Sequence, residues 1–261
     1  MKMKKFPLLC AAATVLLGGC STFGFGSSNN DDDNVPTVVK KKADYGQAYK
    51  DYVELGAQYL QMGRYDLAEP KLQRAIEIDS RPPEAWNILA VLYEEKRDIA
   101  SGNQIYQKLI HSHPEYLLGY TNYATFLCKF DRDSEMQALL GQMRGRNAEF
   151  KTAASIAEGN CMERRGQSGA AENAYKQAIA ANPQAEGALL PLAQIALQKG
   201  DYAGALRYLR VVHTYVGYSP ESVKLGIEAA RKSGDTRMEE ELVRVMRGNY
   251  KSTPEAKSLG I

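Results

Sequence analysis

Small and large apolar residues return along this chain at a spacing longer than any single helix or strand would impose. Leu55, Gly56, Tyr59, Gly63, Ala68, Leu72 and Ala75 have counterparts 34 residues later in Leu89, Ala90, Tyr93, Arg97, Gly102, Tyr106 and Leu109. A further 34 residues on stand Tyr123, Ala124, Leu127, Asp131, Met136, Leu140 and Met143. One extra residue precedes a fourth copy (Gly159, Met162, Gly166, Ala171, Tyr175, Ala178), and a fifth follows (Leu192, Ala193, Ala196, Gly200, Ala205, Leu209, Val212). A weaker sixth retains Ala230, Gly234 and Val243. Such a period marks a stacked repeat. Within each copy, positions 4, 7, 8 and 11 form one helical stripe and positions 20, 24 and 27 another, so every unit predicts two amphipathic helices. Small residues at 8 and 20 let the pair approach closely. Glycine at position 15 (Gly63, Gly166, Gly200, Gly234) suits a left-handed residue closing the first helix, and Pro114 and Pro183 stop the second. Arg97 and Asp131 occupy the glycine position in copies 2 and 3, so different turns are expected there.

The pattern resembles the tetratricopeptide signature, with Trp86 and Tyr120 as its large residue at position 4 and proline at position 32. The resemblance implies an all-α, right-handed superhelical solenoid of six helical hairpins. They fall at about residues 49–82, 83–116, 117–150, 152–185, 186–219 and 220–253, inside a repeat domain 48–253 followed by a C-terminal tail, 254–261. Two positions depart from it: Glu158 and Gly226 stand where repeats 4 and 6 should carry a large apolar residue. Repeat 6 is therefore expected to be a terminal cap, and the extra residue predicts a change of path between repeats 3 and 4.

Ahead of the repeats, a basic start (Met1 to Lys5) leads into an apolar run of 14 residues, Phe6 to Gly19. That is shorter than the roughly 20 residues of a membrane-spanning helix, so residues 1–19 read as a secretory signal peptide. Leu17-Gly18-Gly19-Cys20 resembles a bacterial lipobox, which implies three acyl chains on Cys20. Two membrane signals already anchor a protein stably. Ser21 in place of aspartate implies sorting to the outer membrane, with the domain facing the periplasm. Residues 20–47 are rich in Gly, Ser, Asn and Asp and read as a flexible tether with a reach of about 30 Å.

Composition narrows the chemistry. The 261 residues are 44% hydrophobic and 25% charged, with a net charge of +2. Without Lys2, Lys4 and Lys5 the chain carries 30 basic against 31 acidic side chains, which argues against nucleic acid as a partner. Three histidines and four cysteines leave little for a metal or histidine-based catalytic centre. Gly166-Gln167-Ser168-Gly169 lacks nucleophile-elbow spacing, and His111-Ser112-His113 has no carboxylate or cysteine beside it. No enzyme activity, cofactor, metal or small-molecule substrate is expected.

In an oxidising periplasm, Cys128 and Cys161 are candidates for a bridge. They occupy positions 12 and 10 of consecutive first helices, on opposite flanks of the core stripe, and such flanks face each other in a stacked solenoid. With axes about 8–10 Å apart, a disulfide is feasible. We expect Cys128–Cys161 to be bonded.

First helices line the hollow of such a solenoid through positions 2, 5, 9, 12 and 13. In repeat 1 these are Lys50, Val53, Ala57, Leu60 and Gln61, unusually apolar for a wetted surface and so a candidate peptide groove. Repeat 2 adds Glu84, Asn87, Val91, Glu94 and Glu95, and repeat 3 Leu118, Thr121, Thr125, Cys128 and Lys129. Asn87, Asn122 and Asn160 lie on or beside the same face and can bond a partner's backbone. Lys50 and Lys129 read as isolated bases, too few to cradle a carboxylate tail. The candidate partner-binding set is Val53, Ala57, Leu60, Asn87, Val91, Asn122 and Asn160.

Asn122-Tyr123-Ala124-Thr125-Phe126-Leu127-Cys128 resembles the Asn-Tyr-Gly-x-Phe-Leu-Cys motif of the type IV pilus biogenesis and stability lipoproteins of the PilF/PilW type, with Ala124 in place of the glycine. Gly159-Asn160-Cys161, the opening Leu55-Gly56…Gly63-Arg64 and the closing Ser252 to Ala256 also fit. The resemblance implies six repeats on an acylated cysteine, paired cysteines in repeats 3 and 4, and a pilotin function. Its partner would be the outer-membrane secretin of the pilus, which it would localise and help to multimerise. The alternative is a general periplasmic scaffold for cell-wall or outer-membrane assembly machinery.

Overall fold

A computed structural model describes residues 44–261. Expectations for the signal peptide, Cys20 and most of the tether lie outside the described residues. Thirteen helices and no strand occur among the described residues. Twelve form six hairpins: α1 (Tyr45–Gln61) with α2 (Tyr65–Ile78), α3 (Pro83–Glu95) with α4 (Ile99–Ser112), and α5 (Leu117–Lys129) with α6 (Asp133–Arg144). Then come α7 (Ala148–Arg164) with α8 (Ser168–Ala181), α9 (Glu186–Gln198) with α10 (Tyr202–Tyr215), and α11 (Pro220–Ser233) with α12 (Thr236–Asn249). A short α13 (Pro254–Ser258) closes the chain. The fold is the all-α tetratricopeptide arrangement.

One backbone bond ends the first helix of every hairpin. The amides of Arg64, Asp98, Arg132, Gln167, Asp201 and Asp235 each donate to the carbonyl five residues back, at 2.9 Å in all six. That bond needs a left-handed residue just before it. Four repeats supply glycine, but Arg97 (φ 58°) and Asp131 (φ 55°) adopt the same conformation. The different turns expected in repeats 2 and 3 do not occur: packing imposes the common geometry there, at a cost of about 1–2 kcal/mol per side chain. Asp98, Asp201 and Asp235 then cap the second helices, accepting from the amides of Ser101, Gly204 and Met238.

Close approach within a hairpin explains the small residues at position 8. A Cβ on Gly56 would lie 2.7 Å from the Leu72 side chain, and one on Gly159 would clash with the edge of the Tyr175 ring. In repeat 6 that role passes to Gly226, where a Cβ would meet Leu242 at 2.6 Å. Gly226 thus stands in place of a large residue because α12 turns Leu242, not Val243, inward; Leu242 is buried and Val243 only partly so.

The expected limits shift at three places. Asp44 caps α1, so the helix takes in residues assigned to the tether. The extra residue before repeat 4 is absorbed as an early start of α7 at Ala148, capped by Asn147. The C-terminal tail contains α13, whose buried Ala256 packs with Val223, Ile227, Leu242 and Met246 and covers the end of repeat 6.

Candidate partner-binding face

Each first helix packs on the next first helix along the solenoid, α1 on α3, α3 on α5, and so on to α9 on α11. The free side of this row is the candidate face, and the apolar positions of the row also serve the core. Val53 packs against Tyr49, Ala75 and Ala85, and Leu60 against Ala68, Leu72, Leu89 and Leu92. Val53, Ala57, Leu60 and Val91 are all half-buried. The large side chains of the repeat 1 groove thus divide their surface between the repeat 1–2 interior and the free side of the row. Among the face positions read from the sequence, the exposed large apolar residue is Leu118, 51% exposed.

The three asparagines separate. Asn87 is 7% exposed, and its Oδ1 accepts from Asn122 Nδ2 at 3.0 Å, tying α3 to α5. Asn160 lies two hairpins on from Asn87, exposed, with its Oδ1 accepting from Tyr175 Oη at 2.8 Å.

Lys129, read as isolated, is not. Its Nζ lies 2.9 Å from Glu94 Oε1 and 3.1 Å from Glu95 Oε1. Burial lowers the lysine's affinity for its proton, but the two carboxylates outweigh this and hold its pKa above the usual value. Glu94 also accepts from Tyr106 Oη at 3.3 Å, and burial with the nearby carboxylate drives that phenol's pKa far up. Tyr175 repeats the arrangement with Glu163 at 2.8 Å. A second link recurs on the same 34-residue grid: Lys96 bonds Glu69 at 2.7 Å, and Lys199 bonds Glu172. Both pairs are 27 residues apart, a regularity present in the sequence that matching of apolar positions alone passes over.

Between repeats 3 and 4 the two cysteines meet. The sulfurs of Cys128 on α5 and Cys161 on α7 stand 1.96 Å apart, with Cα atoms at 5.9 Å. Glu158, the odd carboxylate at position 7 of repeat 4, faces Arg144 of α6, so the polar residue meets a cation across the junction. Arg146, in the loop before α7, lays its guanidinium 4.0 Å over the Phe150 ring. No helix among the described residues is long and apolar enough to cross a membrane.

Comparison with known proteins agrees with this architecture. A tetratricopeptide-repeat family model matches residues 53–116 and 162–213. The type IV pilus assembly protein PilF of Pseudomonas aeruginosa is 26% identical over 223 residues, covering 82% of each chain. A crystal structure of PilW, described as a widely conserved type IV pilus biogenesis factor, superposes with a TM-score of 0.56 at 21% identity, over 82% of this chain and 99% of that one. A structure of Pseudomonas aeruginosa PilF superposes with a TM-score of 0.53, also at 21% identity, over 84% of this chain and 99% of its own. With its six hairpins and a likeness that runs along most of both chains, the protein has the tetratricopeptide fold and is similar to PilF and PilW.

Proposed function

We propose that this protein is a pilotin: an outer-membrane lipoprotein, anchored in the periplasmic leaflet by acyl chains on Cys20, that binds the type IV pilus secretin and promotes its localisation and multimerisation. The similarity to PilF, spread over 82% of both chains, carries this reading. The row of first helices supports it. It presents a partner polypeptide with half-buried apolar positions (Val53, Ala57, Leu60, Val91), the exposed Leu118, and asparagines that both donate and accept. A Cys128–Cys161 disulfide is part of the proposal: it holds repeats 3 and 4 in one relative position, so that the face meets its partner pre-shaped. Acylation would hold the complex at the membrane and raise the local concentration of secretin subunits, an effect that needs no covalent step on the secretin.

Leu118→Glu is the test of the face, because Val53 and Leu60 also serve the core and charging them would disturb folding. The variant should keep its helical content and thermal transition while assembled secretin multimers in the outer membrane fall several-fold. Unchanged multimers would remove repeat 3 from the binding site. Cys20→Ala should release the protein from membranes and leave secretin mislocalised, and normal outer-membrane secretin in that strain would sink the anchoring role. The competing reading, a general periplasmic scaffold, rests on the generic repeat match at 53–116 and 162–213. Deleting the gene decides between them: lost surface pili and twitching support the pilotin, whereas damaged peptidoglycan with normal pili supports the scaffold.

A further inference from the structure

A cavity of about 170 Å³ opens on the side of the solenoid formed by second helices, between α10 and α12 and above Gly226 of α11. Leu206, Leu209, Met238 and Leu242 supply its apolar walls. A cavity of roughly 150 Å³ suffices to hold a benzene ring, so this one is sized for a single aromatic ring. His213 forms part of the wall, and its Nε2 is buried without a hydrogen-bond partner. Burial holds the imidazole below its usual pKa, against the opposing pull of the Ser222 backbone, and Nε2 is left with an unused hydrogen-bonding position. Tyr218 covers that imidazole, with ring centroids 4.5 Å apart. It is itself 41% exposed, on a loop that turns through Gly217 at φ 111°.

We propose that this cavity binds a tyrosine side chain of a partner polypeptide. The ring fills the apolar space as Tyr218 swings aside, and the hydroxyl, which both donates and accepts, pairs with His213 Nε2. Each observation selects one property of the occupant. The volume admits one ring. The unpartnered nitrogen asks for a hydrogen-bonding group at the ring's far end, which phenylalanine lacks. Arg210 and Glu241, both exposed at the rim, carry opposite charges and give no net attraction to an ionic tip, so a neutral hydrogen-bonding group is preferred over lysine or arginine. Tyr215 and Val216, exposed beside the loop, offer apolar surface to the residues flanking the inserted tyrosine. The site lies in repeats 5 and 6, on second helices, and stands apart from the first-helix face on which the pilotin reading depends.

The test uses the full chain, labelled with ¹⁵N at histidine, titrated with N-acetyl-tyrosinamide and, separately, N-acetyl-phenylalaninamide, two probes that differ by one hydroxyl. The tyrosine probe should bind saturably, move the His213 Nε2 resonance, and bind about tenfold more tightly than the phenylalanine probe. His213→Phe keeps the ring and removes the hydrogen-bonding nitrogen, so the two probes should become equal. Equal affinities in the unaltered protein, or no saturable shift with either probe, would overturn the proposal. That pair of titrations decides the matter even if His213→Phe does not fold.

Discussion

Aromatic rings fill the interior of repeats 2 to 4: Tyr106 stacks on Tyr123 at 5.3 Å, Phe126 packs against Phe130 at 4.9 Å, and Tyr120 meets Phe150 edge-on at 5.2 Å. The seam between repeats 5 and 6 is instead built largely on Ala193, Ala196, Ala205 and Ala229, with Leu209 and Leu225 between them, and an open cavity lies over Gly226. One hairpin pattern thus produces two kinds of junction. In a solenoid each repeat touches only its neighbours, so stability is a sum of local interfaces and need not be uniform. The rigid centre suits a face that must hold its shape, and the looser end suits a site that must admit a side chain.

The sharpest way to break this contrast is to hollow out the centre. Phe126 is fully buried and lies so close to Gly102 that a Cβ there would touch its ring. Phe126→Ala should cost about 3–5 kcal/mol and show in denaturant unfolding as a lower midpoint for the whole transition. Leu242→Ala, at the far end, should cost about 2–5 kcal/mol but act locally. Hydrogen exchange should then accelerate in α11 to α13 and not in α5. If α5 accelerates equally, the ends and the centre are one cooperative unit and the comparison fails.

Next in size is the proposed disulfide. Cys128→Ser with Cys161→Ser opens a covalent loop of sequence separation 33 and should lower stability by about 3–4 kcal/mol. Reduction of the unaltered protein should give the same loss in a thermal scan. A scan insensitive to reductant would show that the helices hold the junction unaided. A smaller effect is expected from Gly159→Ala, whose methyl must displace the Tyr175 ring. It should cost about 1–3 kcal/mol and perturb the Tyr175 contacts to Asn160 and Glu163.

Acid separates the regions most gently. Burial pushes the His213 imidazole below its usual pKa, against the opposing Ser222 backbone bond and the Glu241 charge. The folded value lies below the unfolded one of about 6.5, so its contribution is complete above about pH 6.5 and is lost as pH falls through the folded value. At the other end, burial raises the Glu69 carboxyl but the Lys96 and Tyr93 bonds more than offset it, holding it below the carboxylate range. Its contribution is complete above about pH 4.3 and lost as pH falls further; as a partly exposed pair with Lys96 it is worth about 0.5 kcal/mol. Protection from hydrogen exchange, taken relative to the intrinsic rate at each pH, should therefore fall between pH 7 and pH 5.5 in α10 to α12 before α2 and α3. His213→Phe should abolish that early response, and a uniform response in both variants would contradict it.

The apolar pattern was enough to count the hairpins and place each turn, because helix period and repeat length depend on local backbone geometry that every copy shares. It failed where a residue's role depends on a neighbour far along the chain. For Val53 and Leu60 the sequence did not show how much of each side chain the packing of repeat 1 on repeat 2 takes. Lys129 read as lone until Glu94 and Glu95 arrived from the preceding repeat. Arg97 and Asp131 adopt the glycine conformation because stacking outweighs their local strain. The cavity beside His213 was legible only as a glycine out of place, since its walls come from three helices and their spacing is set by how the last hairpin packs on the fifth. By itself the chain determined its architecture, whose causes lie within one repeat. Tertiary structure alone decided which side chains remain free to meet a partner, because exposure is a property of the packed assembly and of no residue alone.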